Sequence, residues 1–359
     1  MAKAGEAALA RKGRGATCNP DNRFFTTRSE TVDDGWFLAP GELPPLRTSV
    51  SIQHSRTIIS RNNSPDIPFS QSINPYQGCE HGCVYCYARP SHAYLDLSPG
   101  LDFESKLFVK PHAADLLLKE LRRPGYQVST INIGGNTDPY QPIEREYKVT
   151  RSLLEVMLQT RHPVSLVTKG ALILRDLDLL AELARLDLVQ VFVSLTTLDA
   201  ALSQKLEPRA SAPHRRLLTV QRLHEAGVPV GVLLAPVIPF VNDAEIESIL
   251  EAAAAAGANV AGYVPLRLPY EVKDLFRCWL QTHLPLKAAR VMAAINDMRG
   301  GRDNDPAFGR RMRGQGVFAD LLRQRFKAAV RRHGLNKSLW DLRTDLFRPA
   351  RVDRQMALF

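Results

Sequence analysis

The most constraining feature of the sequence is one short loop that holds three of the five cysteines, Cys79, Cys83 and Cys86. Thiolates this close along a chain bind a soft metal or a cluster more readily than they pair, because a disulfide needs separated and correctly aimed Cβ atoms. Gly78 and Gly82 let the backbone of this loop approach a bound group closely. The loop therefore predicts a metal centre.

Two kinds of centre fit this loop. Cys18 and Cys278 lie far away in sequence and offer no local partner spacing, so a site with four cysteines is not predicted. An iron-sulfur cluster on three thiolates leaves one iron open to a ligand that is not protein. A zinc ion would take His81 as its fourth ligand, but four ligands would then crowd a single short loop. The spacing favours the cluster.

The C-x3-C-x2-C spacing, with Tyr85 just before the last cysteine, resembles the motif of the radical S-adenosylmethionine (radical SAM) superfamily. The resemblance implies a 4Fe-4S cluster whose open iron chelates the amino and carboxylate groups of SAM. It implies an external electron donor, because electron transfer from the reduced cluster splits SAM to a 5′-deoxyadenosyl radical. The resemblance also places Tyr85 at the cofactor.

Residues 70–285 alternate apolar runs with amphipathic helix patterns. Strands that alternate with helices are parallel and joined by right-handed crossovers, and nearly continuous apolar runs indicate burial on both faces. A closed eight-unit barrel needs more chain than this region has. A doubly wound sheet is the structural alternative, and the resemblance favours an α/β fold with a partial (β/α)6 TIM-like barrel. The predicted strands cover residues 70–74, 128–133, 164–167, 189–195, 228–238 and 260–266. One of the helix patterns between them covers 144–160, and Asn242, three residues ahead of Glu245, predicts a capping box at the start of another helix.

The two ends of the chain differ from this region. Residues 1–69 show no sustained period and contain scattered Pro, Gly and Ser, which predicts a flexible tail followed by an extended segment. Residues 286–359 contain helix patterns at 287–298 and 318–333, which predict a basic helical extension. The expected organisation is an N-terminal segment, a barrel over 70–285 and a C-terminal extension.

Polar residues follow the predicted strands, at the edge where parallel α/β folds bind ligands. Taken alone, these residues are explained equally well as turns, caps or exposed side chains. Asn136 stands where the family has an acidic residue, so Thr137 or Asp138 is expected to supply the remaining acceptor for the SAM amino group. Lys169 is expected to hold the SAM carboxylate. The residues that the resemblance assigns to SAM are Tyr85, Gly134, Gly135, Asn136, Asp138, Lys169, Ser194 and Arg209.

Residues 137–142, with the sequence Thr-Asp-Pro-Tyr-Gln-Pro, resemble the radical SAM branch of spore photoproduct lyases. This resemblance implies DNA or another nucleic acid as the substrate. Photoproduct lyases use a cysteine as hydrogen donor near the end of the strand that here leads into Gly134, and this chain has no cysteine there. Cys278 falls in a helix pattern that predicts an inert buried thiol. The catalytic residues are therefore not identified by the sequence.

Charge and the C-terminus bear on possible partners. The net charge is +10, and residues 301–359 hold 14 Lys and Arg against six Asp. Such a basic region either follows the phosphates of a nucleic acid or forms a solvated helix face. The last residues, from Gln355 to Phe359, resemble the peptide with which bacterial DNA-processing proteins bind the sliding clamp. The second functional hypothesis is a non-catalytic iron-sulfur or zinc protein that binds nucleic acid.

The sequence has no apolar run of the length of a membrane helix and no apolar secretion signal after Met1. We therefore expect no membrane partner. Free thiols and a reduced cluster persist in the cytosol, so a cytoplasmic location is expected.

Overall fold

The computed structural model describes residues 11–26, 46–337 and 341–349 of the chain. The strands in the order of the chain are β1 (Ser49–Ile52), β2 (Ile59–Arg61), β3 (Gln71–Ile73), β4 (Tyr76–Gln77), β5 (Lys106–Val109), β6 (Ile131–Ile133), β7 (Val164–Thr168), β8 (Val189–Ser194), β9 (Val230–Val237) and β10 (Val260–Pro265).

Most of the helices alternate with these strands along the chain. They are α1 (Leu101–Ser105), α2 (Ala113–Leu121), α3 (Glu144–Tyr147), α4 (Val149–Thr160), α5 (Leu177–Arg185), α6 (Ala200–Leu206), α7 (Pro213–Glu225), α8 (Ile246–Ala255), α9 (Val272–His283), α10 (Pro285–Met298) and α11 (Gly316–Arg332). Short 3-10 helices cover Arg89–Leu95, Ala171–Asp176 and Asp243–Glu245.

The main sheet places its strands in the order β10-β9-β8-β7-β6-β3-β2. All neighbours in it pair parallel except β2, which pairs antiparallel with β3 at the edge. Among the described strands, no pairing joins β10 back to β3, so the sheet is open. The predicted α/β fold with six parallel strands is confirmed. A smaller sheet of order β1-β5-β4 lies beside the cysteine loop.

The strands are buried because helices cover one side and side chains fill the other. In β9, Val230, Val232 and Leu234 are nearly inaccessible to solvent and belong to the main core. Burial of such a side chain contributes about 1.5–3 kcal/mol. Between them, Gly231 makes room for the neighbouring strand, because a Cβ there would lie 2.7 Å from the Phe192 ring. The fold thus brings the carboxyl ends of six strands to one edge.

Two local predictions differ from the structure. The helix pattern over 144–160 forms two helices, because Lys148 adopts a left-handed conformation with φ 52° between α3 and α4. The predicted capping box of Asn242 and Glu245 does not form, since the Asn242 side chain caps no helix backbone N–H. Its amide instead ties the end of β9 to the Thr196 carbonyl oxygen at 2.7 Å.

The C-terminal residues pack back on the sheet. The buried face of α11 lies against α8 and β10, and the Phe326 ring lies 4.5 Å from the Tyr263 ring. Farther along, Phe347 contacts Tyr126 and His162 at ring distances of 5.7 and 5.4 Å. No helix in the described part of the chain has the length and apolar character needed to cross a bilayer.

Protonation of His162 at low pH should weaken this packing. It is fully buried, with Nε2 2.9 Å from the Tyr126 hydroxyl and Nδ1 3.0 Å from the Pro163 carbonyl oxygen. Burial lowers the pKa of His162 to about 4, although the Pro163 carbonyl opposes this shift. The unfolded chain binds the proton at higher pH than the folded chain does, so stability falls as pH drops from about 6.5 towards 4.

We expect the free energy of urea unfolding to be about 2 kcal/mol lower at about pH 4.5 than at about pH 7 through this residue. His162→Gln does not titrate and should reduce that difference. His112→Gln changes an exposed imidazole and serves as the control. The same pH dependence in His162→Gln and wild type would show that another group is responsible.

Candidate functional site

The cysteine loop follows β4 and is held in place by backbone contacts. The Cys79 amide donates to the Phe103 carbonyl oxygen at 2.9 Å. Gly78 permits this close approach, because a Cβ there would lie 2.9 Å from that same oxygen. At the other end, the Val84 amide donates to the Leu206 carbonyl oxygen at 3.1 Å. The loop is therefore clamped between α1 and α6.

The three thiols of the loop lie close enough to influence one another. Cys79 and Cys83 are each 8% exposed, and Cys86 is half-buried. Burial, Asp138 and the Cys83 thiol raise the pKa of Cys79 well above its ordinary value. Burial raises the pKa of Cys83 to about 12, although Lys169 opposes this shift. Such thiols ionise only when a metal or cluster takes the place of the proton.

Arg89 is the buried cation that shapes the loop. It is fully inaccessible to solvent and forms an ion pair with the buried Glu104. Its remaining N–H groups donate to backbone carbonyl oxygens at 2.8 to 3.2 Å. The planar guanidinium therefore joins the middle of the cysteine loop to the segment just before α1 and holds the two in a fixed relation. Those carbonyls belong to Gly82, Cys83, Pro99 and Gly100.

Residues 11–26, which we call the N-terminal strap, cover this ion pair. The Gly15 and Ala16 amides donate to the Glu104 carboxylate at 2.9 and 2.8 Å. Arg14 donates to the Glu104 carbonyl oxygen at 2.5 Å. The strap lies so close to the cysteine loop that a Cβ on Gly15 would stand 1.8 Å from the Gly82 carbonyl oxygen. The strap thus seals the loop on the side of Glu104.

Gly15→Ala should loosen this seal. The added methyl must displace the strap, and an overpacking cost of about 1.4 kcal/mol corresponds to a tenfold larger undocked population. We expect the reconstituted protein to lose iron in air about tenfold faster, followed by absorbance. Lys12→Ala shortens an exposed side chain in the same segment, and this variant should lose iron more slowly than Gly15→Ala. Equal rates in the two variants would contradict the role of the strap.

A second polar cluster lies beside the cysteine loop at the end of β8. The Tyr85 hydroxyl donates to the buried Glu207 carboxylate and lies 3.3 Å from the Thr196 hydroxyl. Glu207 also accepts from Thr196 at 2.5 Å and pairs with the buried Arg216. Burial would raise the pKa of Glu207, but Arg216 and Lys169 lower it to about 2. Glu207 is therefore a carboxylate, and its charge is balanced.

Lys169 brings this cluster together with the cysteines. Its ammonium lies 5.8 Å from the centre of the Tyr85 ring. Burial lowers the pKa of Lys169, but Cys83 and Glu207 more than offset this, so its net pKa is raised. The ammonium is therefore charged and faces the region between the thiol and the carboxylate, where it can bind an anionic ligand group.

Asp138 joins the ends of β6 and β7. Its carboxylate accepts from the Thr168 hydroxyl at 2.6 Å, the Lys169 amide at 2.7 Å and the Tyr140 amide at 2.9 Å. His81 Nδ1 lies 3.2 Å from the same carboxylate. Burial would raise the pKa of Asp138, but His81 and the hydrogen bonds lower it to about 2. Asp138 therefore fixes the backbone that presents Lys169.

The glycine segment after β6 lies next to the cysteine loop. Gly134 has φ 102°, and a Cβ there would lie 2.3 Å from the Val167 carbonyl oxygen. The Gly135 carbonyl accepts from the Tyr87 hydroxyl, and the Asn136 amide donates to the Asn74 side chain at 3.0 Å. Residue 87 directly follows the last cysteine in the loop, so one tyrosine joins the loop to the glycine segment.

The other two predicted residues lie differently. Ser194 is buried at the end of β8, and its carbonyl accepts from Arg216 at 3.1 Å. Arg209 pairs with Glu80 at 3.0 Å and lines a cavity together with His81 and Gly170. The structure thus brings Tyr85, Lys169 and the thiols together and places Arg209 in this cavity.

The residues present fit an iron-sulfur cluster with a small bound cofactor. Cys79, Cys83 and Cys86 form no disulfide and lie together in one loop. Among the described residues, no three His, Cys, Asp or Glu side chains lie close enough to hold a single metal ion. His81, the fourth ligand of the zinc alternative, contacts Asp138. A cluster spreads its thiolate ligands farther apart than one ion does, which suits this arrangement.

Sequence reasoning missed the two buried ion pairs around the loop, Arg89 with Glu104 and Arg216 with Glu207. Charged residues are mostly exposed, so their burial has no local signal. The only sequence hint is position, because Arg89 follows the last cysteine by three residues and Glu207 directly precedes Pro208.

Known proteins are similar to this chain in sequence. The family model of the Radical SAM superfamily matches residues 73–253. An uncharacterised protein of Mycobacterium tuberculosis is 38% identical over 230 residues, which are 64% of this chain and 68% of that protein. An uncharacterised protein of Methanocaldococcus jannaschii is 28% identical over 173 residues, 48% of this chain and 62% of its own length.

Solved structures show the same fold. A spore photoproduct lyase mutant superposes with a TM-score of 0.56 at 14% identity, over 80% of this chain and 79% of that chain. Another, with bound AdoMet and dinucleoside spore photoproduct, has a TM-score of 0.55 at 14% identity, over 79% of this chain and 78% of that chain. The family match covers the cysteine loop and the strand ends described above. This chain belongs to the radical SAM superfamily and is a radical SAM enzyme.

Proposed function

We propose that Cys79, Cys83 and Cys86 hold a 4Fe-4S cluster and that the chain cleaves SAM to modify a nucleic acid. The observation that carries this proposal is the convergence of three unpaired thiols beside the charged Lys169. When bound, the cluster and SAM supply a 5′-deoxyadenosyl radical that abstracts hydrogen from an unactivated C–H bond. The protein's task is to bind, orient and shield these groups.

The proposed SAM contacts come mainly from the residues that follow two strands, β6 and β7. Lys169 binds the SAM carboxylate through its ammonium, while Gly134, Gly135 and Asn136 present backbone and amide oxygens to the SAM amino group. Asp138 orients Lys169, because the Asp138 carboxylate accepts a hydrogen bond from the Lys169 backbone amide. Tyr85 and Ser194 complete the proposed set, and the assignment of Arg209 to SAM stays a prediction from the family resemblance.

A nucleic-acid substrate is supported by chemistry and by fold. The chain carries a net charge of +10, which attracts a phosphate backbone. One protein with the same fold has been solved with a dinucleoside photoproduct. This chain has no cysteine in 134–142, where photoproduct lyases would place the hydrogen donor. We therefore propose a nucleic acid as the substrate without assigning photoproduct repair.

Anaerobic reconstitution tests the proposal. We expect about four irons per chain, a change in the EPR signal of the reduced protein on adding SAM, and release of 5′-deoxyadenosine. Lys169→Met should weaken the SAM-induced change while iron is retained, since its charge is lost but its volume is kept. Tight stoichiometric zinc without SAM cleavage would instead favour a non-catalytic nucleic-acid-binding protein.

Two further partners belong to the proposal. An external reductant must supply the electron that reduces the cluster. We propose that this reaction takes place in the cytoplasm, because reduced thiols persist there. The sliding-clamp peptide predicted from Gln355 to Phe359 lies outside the described residues and stays a prediction. A synthetic peptide of that sequence and purified clamp would test it by direct binding.

A further inference from the structure

A cavity of about 330 Å³ lies on the helix side of the loop that follows β7. It opens between that loop, α3 and the first turn of α7. None of its described lining residues is acidic. We call it the arginine cavity, because its lining includes Arg145, Arg175, Arg209 and Arg215, together with His81.

Two of these arginines already have acidic partners. Arg175 pairs with Glu144 at 2.6 Å, and Arg209 pairs with Glu80 at 3.0 Å. The other two, Arg145 and Arg215, are exposed and form no ion pair with any residue that the structure describes. The cavity therefore keeps about two uncompensated positive charges. An anion bound between them would relieve their mutual repulsion.

The floor of the cavity adds donors of a different kind. The Ser211 hydroxyl oxygen accepts from the Ala171 amide at 2.8 Å, so its own proton can be donated to a ligand. Gly170 keeps the floor narrow, because a Cβ there would lie 2.5 Å from the Tyr140 carbonyl oxygen. Guanidinium forks together with a hydroxyl donor match the oxygen atoms of a phosphate group.

The cavity and the cluster site share two loops. His81, within the cysteine loop, lines the cavity. In the loop after β7, Lys169 interacts with Cys83 and Glu207, and Gly170 directly after it lines the cavity. Adjacent residues are about 3.8 Å apart along the chain. A ligand held in the cavity therefore lies next to the site where radical chemistry is proposed.

We propose that the arginine cavity binds one phosphate of a single nucleic-acid strand and anchors that strand beside the cluster site. This inference rests on the proposed function, which takes a nucleic acid as substrate. A recess lined by several arginines suits a compact tetrahedral anion. An extended strand can place one such phosphate in the recess while a neighbouring nucleotide reaches the edge where the six parallel strands end.

The test measures binding of the reconstituted enzyme to a fluorescein-labelled DNA strand of about twelve nucleotides, and to the matching RNA, by anisotropy across a salt series. The double variant Arg145→Gln/Arg215→Gln should raise the Kd about tenfold at about 0.1 M salt. The slope of log Kd against log salt should fall by about 0.7, the amount for one phosphate contact on a single strand.

The control double variant Arg185→Gln/Arg222→Gln removes the same charge from exposed sites in the last turns of α5 and α7, at the opposite edge of the sheet. It should bind both strands as wild type does. Thermal unfolding of all variants checks that each is folded. Equal Kd and slope in the two double variants would overturn the inference and leave the proposed function intact.

Failure of wild type to bind either strand would overturn this inference and the nucleic-acid part of the proposed function together. The radical chemistry is tested separately, because release of 5′-deoxyadenosine from SAM is measured on wild type without any nucleic acid. The two failures are therefore distinguishable.

Discussion

Replacing Cys83 with serine is expected to remove the iron-sulfur cluster and with it all cleavage of SAM. Cys83 is buried against Tyr85 and lies beside the Lys169 ammonium. A serine hydroxyl fits the same space but does not supply the soft thiolate that iron requires. Iron should fall from about four per chain to near zero after anaerobic reconstitution, and 5′-deoxyadenosine should become undetectable.

Cys278→Ser is the matched control, because Cys278 lies in α9 and outside the cysteine loop. We predicted from the sequence that this thiol is buried; the structure shows it half-buried. The control should keep its iron and its SAM cleavage. Full iron content in Cys83→Ser, or equal loss in Cys278→Ser, would show that the cluster is held elsewhere.

Arg89→Met should produce the second large effect, on both stability and cluster retention. The substitution leaves the Glu104 carboxylate buried without its cation and removes the donor from two carbonyls of the cysteine loop and from two just before α1. Breaking one partner of a buried ion pair costs about 3–5 kcal/mol. We expect this loss in the free energy of urea unfolding of the apoprotein, together with poor iron uptake.

The double variant Arg89→Met/Glu104→Leu separates these two effects. Replacing both members of a buried ion pair with apolar side chains often restores stability. The loop carbonyls still lack their donor and the Gly15 and Ala16 amides lose their acceptor, so iron retention should stay low even where stability recovers. Arg185→Met, an exposed substitution, should change neither quantity. Normal iron retention in the double variant would show that Arg89 acts only through overall stability.

Much of the fold could be predicted because it depends on local patterns. Apolar runs of four to eight residues separated by helix patterns are sufficient to indicate parallel strands. The first and last residues of each strand were harder to predict, because pairing with the neighbouring strand determines where a strand begins and ends. The run predicted over 128–133 forms a strand only at Ile131–Ile133, where its residues pair with Gln71–Ile73. The left-handed backbone conformation of Lys148 could not be predicted from the sequence, because lysine rarely adopts that conformation.

The candidate site was predictable only where one loop supplies its residues. The three cysteines stand together in sequence, so their spacing alone indicated a cluster. Glu207 and Arg216 come from different elements, and their burial beside Tyr85 depends on how α6 and α7 pack on the sheet. The strand-end residues could be listed in advance, but the ion pair of Arg209 with Glu80 and the hydrogen bonds that Asp138 accepts could be seen only in the folded chain.

The contact between the N-terminal strap and Glu104 also bears on how the enzyme matures. Two of the three thiols are almost inaccessible in the folded chain, and the strap closes the loop that carries them. On the side of Glu104, iron and sulfide can therefore reach the thiols only while the strap is undocked, or before it has docked at all. The rate of cluster insertion should follow the opening of the strap rather than the concentration of iron, which makes residues 11–26 a gate on assembly.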